Sequence, residues 1–323
     1  MLYPLTFHPI FKERVWGGRK LELLYHKPLP PDTTIGESWE ISDRPGDVSV
    51  IANGPLAGKD LRWLMQQHER ELLGDARSLN GRFPLLIKIL DAEEKLSLQV
   101  HPPADKAAEL GGEPKTEMWY ITNAAPGAQL YVGLKKGVTR AQFEQKIKSG
   151  QVAECFHHQP VRPGDAMFLP SGRVHAIGGG LVIFEIQQNS DTTYRVFDWN
   201  RLGLDGKPRE LHVEKSLASI DFNDIEPSLV SARVDSGPAI RSRTLVKDSL
   251  FTVTELHARK ATSIRLEPRL HIIAVLEKPL RVAHDKISVD LHPGQFCLVP
   301  ASLTGTELHA QTGTNFLSVT AGE

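Results

Sequence analysis

Three side chains of types that bind divalent metals stand beside predicted strand ends in the middle of the sequence. His101 ends an alternating stretch over residues 96–101 and is followed at once by two prolines. Glu117 opens an apolar stretch, where burying a carboxylate is costly unless a cation or a metal compensates. His175 follows a turn after another apolar stretch. Two neutral imidazoles and one carboxylate suit Zn²⁺ and leave a coordination position for water or substrate.

Gln99 is a candidate fourth ligand, because side chains on one face of a strand alternate. Ser97, Gln99 and His101 then share one face, and the Gln99 amide oxygen could reach the same ion. Non-heme iron oxygenases also use two histidines and one carboxylate. The ligand types alone therefore leave both zinc chemistry and iron–oxygen chemistry open.

Neighbouring residues indicate an anionic substrate. Lys115 lies two positions before Glu117, and Arg195 stands in a short strand after a polar turn. Together with the Ser97 hydroxyl they could clamp a phosphate, for which arginine offers planar, bidentate contacts. Glu185 interrupts an apolar strand, so it is either an ion-pair partner or a functional group.

Composition excludes several classes of protein. The 323 residues are enough for two domains, and 38 basic against 39 acidic residues give a net charge of −1. That balance provides no general attraction to nucleic acid or to an anionic membrane. The only two cysteines, Cys155 and Cys297, predict no disulfide framework. We find neither a signal-peptide pattern nor a transmembrane stretch and expect a cytoplasmic protein. The sequence does not set the oligomeric state.

The elements that must position these residues are mainly short strands, since 26 glycines and 22 prolines interrupt the apolar runs. Helices are predicted over 60–73, 139–148 and 212–220. Residues 84–90 and 95–101 predict a β-hairpin around the turn 91–94. Further predicted strands cover residues 117–122, 130–132, 165–169, 181–187 and 194–197. Irregular, polar sequence near 222–240 predicts a boundary between a metal-binding catalytic domain with helical insertions, 1–222, and a second barrel without metal, 223–323.

An internal repeat supports two related units. Residues 163–170 and 293–300 both contain a Pro-Gly turn, an apolar strand and a terminating proline. When the two copies are aligned, His175 falls opposite Gly305. We therefore expect a mainly β protein made of two similar barrels with a few peripheral helices, of which only the first carries out chemistry.

The spacing of Gly164, Pro170, Gly172 and His175 resembles the second metal motif of the cupin superfamily. More specifically, the chain resembles the short bacterial form of the type I mannose-6-phosphate isomerases. The similar blocks occur in the family's order and extend to about residue 200. They cover residues 9–18, 36–42, 83–88, 96–102, 115–117, 174–176 and 190–195.

This resemblance implies a jelly-roll fold and one Zn²⁺ per chain at Gln99, His101, Glu117 and His175, with Gln99 as either a direct or an outer ligand. It also implies a catalytic Arg195 and substrate contacts from Ser97 and Lys115. One departure is Ile177, where longer family members often carry a tyrosine.

The implied activity interconverts mannose 6-phosphate and fructose 6-phosphate through an enediol-type intermediate. The base that removes the carbon-bound proton is then Glu185, with Lys115 as the alternative. Two other functions stay open at this point. They are a non-catalytic sugar-phosphate sensor and an iron-dependent cupin oxygenase.

Overall fold

Short β-strands dominate the computed structural model, which describes residues 1–322. Those before residue 200 are β1 (Ile10–Gly18), β2 (Ile35–Ile41), β3 (Asp43–Arg44), β4 (Asp47–Val48), β5 (Leu85–Ala92), β6 (Leu98–Val100), β7 (Glu117–Ala124), β8 (Gln129–Leu134), β9 (Phe156–Pro160), β10 (Ala166–Leu169), β11 (His175–Ile177), β12 (Leu181–Gln188) and β13 (Tyr194–Phe197).

The remaining strands follow after residue 234. They are β14 (Asp235–Ser236), β15 (Ile240–Lys247), β16 (Phe251–Ala258), β17 (Thr262–Arg265), β18 (His271–Glu277), β19 (Leu280–His284), β20 (Ile287–Leu291), β21 (Phe296–Val299), β22 (Glu307–Ala310) and β23 (Asn315–Ala321).

Four short helices lie among these strands. They are α1 (Lys20–Tyr25), α2 (Leu61–Leu73), α3 (Arg140–Lys148) and α4 (Val213–Ser219), with a 3₁₀ turn at Val152–Cys155. Within the described residues, no helix has the length and apolar character needed to span a membrane.

The three predicted helices are confirmed as α2, α3 and α4. The Asp60 carboxylate caps α2 by accepting a hydrogen bond from the Trp63 backbone N–H. Thr139 and Gln142 form a reciprocal capping box at the start of α3. Such caps satisfy backbone donors that the helix itself leaves free, which is why the sequence marks these starts so clearly.

Two cupin-like barrels confirm the predicted fold class. In the first, a sheet of order β1-β2-β5-β12-β7-β10 faces a sheet of order β13-β6-β11-β8-β9. In the second, β14-β15-β16-β23-β18-β21 faces β17-β22-β19-β20. The two repeated sequence stretches contain β10 and β21, each at the edge of its sheet and each antiparallel to an inner strand, β7 or β18.

The predicted hairpin of residues 84–90 with 95–101 is wrong. Its two strands exist as β5 and β6, but they belong to opposite sheets of the first barrel. Between them the chain crosses the barrel, and the Glu94 and Leu96 backbone N–H groups bond to Trp16 and Ile177. Alternating sequence identifies a strand but not its partner, because pairing across a barrel depends on contacts distant in sequence.

The barrels meet through both polar and apolar contacts. The Tyr120 hydroxyl of β7 donates to the Glu255 carboxylate of β16 at 2.7 Å, and the largest apolar core includes buried residues from both barrels. The chain between them lies along the first barrel, where the Leu134 N–H donates to the Asp224 carbonyl at 3.0 Å. A division at residues 222/223 stays a prediction.

Asp91, near the end of β5, is a buried carboxyl group whose pKa links folding to pH. It has no exposed surface, and one carboxylate oxygen accepts a hydrogen bond from the Lys20 backbone N–H at 2.7 Å. Burial raises the pKa of Asp91 from 3.8 to about 6, against the lowering effect of the Lys20 N–H. The folded state therefore binds more protons than the unfolded state between these two values.

The contribution of Asp91 to the free energy of unfolding should decrease as the pH rises from about 4 to about 6. In Asp91→Asn, the amide oxygen can still accept the Lys20 bond but the side chain does not ionise. Urea unfolding at several pH values should show a smaller loss of free energy of unfolding across this window in the variant. An unchanged slope would contradict the assigned role of Asp91.

Candidate metal centre and its cleft

Three side chains converge in the interior of the first barrel. One ligand atom from each of His101, Glu117 and His175 lies within 4.8 Å of the others, and all three residues are buried. The Nε2 atoms of His101 and His175 lie 3.6 and 3.4 Å from the Glu117 carboxylate oxygens. Bonds of about 2.0–2.1 Å at tetrahedral angles would separate ligand atoms by about 3.3–3.4 Å, so this arrangement fits a tetrahedral divalent metal.

The barrel topology brings these residues together. Glu117 begins β7 in one sheet, while His175 begins β11 in the facing sheet. His175 is paired directly with Gln99 of β6, and His101 follows that strand. The two prolines after His101 end the strand at the barrel rim, as the sequence indicated.

Backbone carbonyl groups determine the tautomer of both histidines. His101 Nδ1 lies 2.8 Å from the Thr192 oxygen, and His175 Nδ1 lies 2.9 Å from the Arg173 oxygen. Each Nδ1 must donate its proton, which leaves a lone pair on each Nε2 directed toward Glu117. Among the described residues, His101 Nε2 and Glu117 Oε1 have no hydrogen-bond partner, although both are buried. A bound cation would satisfy both atoms.

Electrostatics prepare the same three residues for a cation. Burial, then the Lys115 charge, lowers the pKa of His101 to about 4, and burial also lowers the pKa of His175. Burial alone would raise the pKa of Glu117, but Lys115 and the histidines hold it well below its ordinary value. Two neutral imidazoles and an ionised carboxylate are the forms that bind a metal.

Gln99 lies beside this group. Its Nε2 is 3.4 Å from His175 Nε2, and its Oε1 accepts a hydrogen bond from Ser97 at 3.3 Å. The two ends of an amide have the same shape, so a half-turn of the side chain would direct the oxygen toward the ligand group. Gln99 is therefore within reach either as a ligand or as an outer partner.

A cleft of about 550 Å³ lies beside the three buried side chains, because its lining residues Lys115 and Gln99 contact Glu117 and His175. It brings together the other residues selected from the sequence: Ser97, Gln99, Lys115, Glu185 and Arg195.

Lys115 and Glu185 both have buried, charged partners. The Lys115 ammonium lies 2.8 Å from the Glu117 carboxylate, and its pKa is raised because this attraction, with that of Glu185, outweighs burial. The Glu185 carboxylate lies 3.3 Å from Lys88 Nζ and accepts a hydrogen bond from the Trp119 indole at 2.8 Å.

Arg195 has guanidinium N–H donors that are available to bind a ligand. Its Nη1 donates to the Glu210 carbonyl at 2.8 Å, whereas its buried Nε has no partner in the described part of the chain. Burial, and then the nearby Arg209, lowers its pKa.

Sequence analysis missed a connected group of charged residues in the lining of the cleft, formed by Arg14, Glu37 and Lys88. Glu37 accepts hydrogen bonds from Arg14 Nε and the Trp39 indole, both at 2.7 Å, and lies 3.7 Å from Lys88. Lys88 and Arg14 hold the pKa of Glu37 at about 2, although burial acts in the opposite direction. Lys88 stands within an apolar strand, the same signal that singled out Glu185, whereas Glu37 stands in a strand of mixed polar and apolar residues.

Fold and site together define a protein of the two-barrel cupin type with a buried group that fits a divalent metal. Residues 5–127 match the family model "Phosphomannose isomerase type I, catalytic domain". The mannose-6-phosphate isomerase ManA of Bacillus subtilis is 36% identical over 305 residues, which cover 93% of this chain and 94% of that protein. A probable mannose-6-phosphate isomerase of the same organism, GmuF, is 42% identical over 304 residues, with 93% and 94% covered.

Solved structures agree with these relatives. The Bacillus subtilis mannose 6-phosphate isomerase superposes with a TM-score of 0.89 at 30% identity, over 98% of this chain and 99% of that one. A mannose 6-phosphate isomerase bound with zinc and yttrium shares the fold, with a TM-score of 0.76 at 17% identity over the whole of both chains. The chain belongs to the type I phosphomannose isomerase family.

Glu117→Gln should weaken zinc binding by more than the roughly 10–100-fold that changes to outer partners cost, because it removes the charge of the central ligand. Zinc affinity can be measured by competition with a fluorescent chelator. Glu255→Gln, at a buried glutamate of the second barrel, is the matched control. Equal zinc affinity in the two variants would contradict the assignment of Glu117 as a ligand.

Proposed function

We propose that the chain is a zinc-dependent aldose–ketose isomerase that interconverts mannose 6-phosphate and fructose 6-phosphate through an enediol-type intermediate. The observation that carries this proposal is the buried group of His101, Glu117 and His175, which Lys115 connects to a cleft that Glu185 and Arg195 also line. The family's catalytic-domain match and the names of the relatives support the same substrate and reaction. They support neither the sensor nor the oxygenase alternative.

One Zn²⁺ per chain would be held by His101, Glu117 and His175, with Gln99 as the fourth ligand or an outer partner. When bound, it supplies a Lewis acid that polarises sugar oxygens and stabilises developing negative charge. Arg195 would add a fixed positive charge at the same cleft, where its partnerless Nε and its remaining guanidinium donors can meet a sugar or phosphate oxygen.

Glu185 is our proposed base for the proton that moves between the two carbons. Lys88 and Trp119 fix its carboxylate from two sides, so the base is oriented before the substrate arrives. The raised pKa of Lys115 keeps that amine protonated and disfavours it as the base. We assign Lys115 instead to orienting Glu117 and, with Ser97 and Arg195, to contacting the phosphate.

The cytoplasm is the proposed compartment. Both cysteines are free and buried, which agrees with a chain that uses no disulfide for its stability.

The direct test is a coupled assay of mannose 6-phosphate conversion to fructose 6-phosphate, before and after chelation and after zinc return. We expect activity to be lost on chelation and restored by zinc. Fully zinc-loaded protein without turnover would rule out this substrate while leaving the metal centre intact.

Two cleft variants test the assigned roles separately from metal binding. Glu185→Gln should lower kcat by roughly 10²–10⁴-fold with bound zinc retained, because the amide cannot accept the proton. Arg195→Ala should likewise lower kcat/KM with zinc retained. Near-normal turnover by either zinc-loaded variant would exclude that residue from the mechanism. Arg162→Ala, at an exposed arginine outside this cleft, is the control for the loss of a positive charge.

A further inference from the structure

The polar segment that follows α4 packs against the turn that carries His175. The Asp221 backbone N–H donates to the Gly172 carbonyl at 2.9 Å, and the Gly172 N–H donates to the His101 carbonyl at 2.9 Å. Gly172 has φ +93°, and a Cβ at this position would lie 3.3 Å from the Ser219 carbonyl oxygen. The turn is therefore in contact with a ligand residue on one side and with residues 219–221 on the other.

Arg173, the next residue of the turn, connects this segment to a metal ligand. Its Nε and Nη2 donate to the two carboxylate oxygens of Asp224, both at 2.8 Å. Its Nη1 donates to the Phe168 carbonyl at 2.6 Å. The Arg173 carbonyl oxygen accepts a hydrogen bond from His175 Nδ1–H at 2.9 Å. Arg173 is thus fixed at its side chain while its backbone orients the imidazole.

We propose that Asp224 is a positioning residue for the metal centre, acting through Arg173 on the orientation of His175. The inference rests on the metal site of the proposed function, but not on its substrate. A two-bonded arginine–carboxylate pair restricts both position and angle, and each side chain here is only 16% exposed. Without Asp224, the Arg173 side chain keeps only its Nη1 contacts with the Phe168 carbonyl and the Met167 sulfur. The Arg173 carbonyl can then rotate away from His175.

The contact arises from a segment that the sequence marks only as irregular. Asp224 also contacts the first barrel through its backbone, because its carbonyl accepts from the Leu134 N–H at 3.0 Å. This backbone hydrogen bond does not depend on the Asp224 side chain. Removing the side chain should therefore disturb the turn that contains Arg173 more than the backbone path near Asp224.

The test compares zinc release from the full-length protein and from Asp224→Ala and Asp224→Asn. Zinc transfer to a chromophoric chelator gives the dissociation rate, and the visible absorption of the cobalt-substituted protein reports ligand geometry. Asp290→Ala is the matched control, because Asp290 forms a similar two-bonded pair with Arg281 at 2.6 and 2.9 Å on an exposed face of the second barrel.

We expect Asp224→Ala to release zinc about 10–100-fold faster, the usual cost of losing an outer partner, with a changed cobalt spectrum. Asp224→Asn should be intermediate, since it keeps one acceptor but loses the charge. Asp290→Ala should match the wild type. The melting temperature of each metal-free protein identifies any general loss of stability.

Zinc release from Asp224→Ala within about twofold of the wild-type rate, with an unchanged cobalt spectrum, would overturn the inference. A lower melting temperature of the metal-free variant with normal zinc release would overturn it as well. Wild-type protein that binds no zinc would overturn the proposed metal site and this inference together. Normal zinc binding without isomerase turnover would count against the proposed substrate alone.

Discussion

The ionised Glu117 carboxylate, with no exposed surface at the centre of a β-barrel, is the constraint on which the rest of the site depends. An isolated buried charge of this kind would cost several kcal/mol. Lys115 neutralises it at 2.8 Å, but the oxygen facing His175 has no hydrogen-bond partner in the described part of the chain. The two imidazoles direct lone pairs, not protons, toward the carboxylate, so they cannot satisfy this oxygen. A divalent cation would satisfy the oxygen and both imidazoles, and the barrel strands hold the three side chains in position for it.

Much of this centre could be predicted from sequence because the relevant signals are local. Strand alternation, the prolines after His101 and the turn before His175 identify ligands at strand ends, and the structure brings those side chains together. The hairpin failed because strand pairing depends on contacts distant in sequence. The Thr192 and Arg173 carbonyls that orient the imidazoles had no sequence signal at all, since every residue has a carbonyl. Lys88, by contrast, was available to the same reasoning as Glu185, because it also interrupts an apolar strand.

The second barrel shows how the same topology exists without the ligands. His271 of β18 pairs with Val299 of β21 at the position where Glu117 pairs with Leu169. Both of its ring nitrogens are occupied, Nδ1 near the Ser318 hydroxyl at 3.3 Å and Nε2 near the Glu267 carbonyl at 3.2 Å. This imidazole therefore has no free lone pair for a metal. The position corresponding to His175 is Gly305, which has no side chain to bind a metal. What the described residues do share is an apolar core that extends through both barrels.

The proposed base is positioned by strand register, not by a loop. Trp39, Lys88, Glu185 and Trp119 lie directly opposite one another across four adjacent strands of one sheet. The Lys88 ammonium lies between the Glu37 and Glu185 carboxylates and over the Trp39 ring, so its charge is shared between two acids. Lys88 therefore connects the two acids, and together with the Trp119 indole it holds the Glu185 carboxylate in one orientation at the cleft. A base fixed in this way by neighbouring strands needs no rearrangement before it meets a substrate.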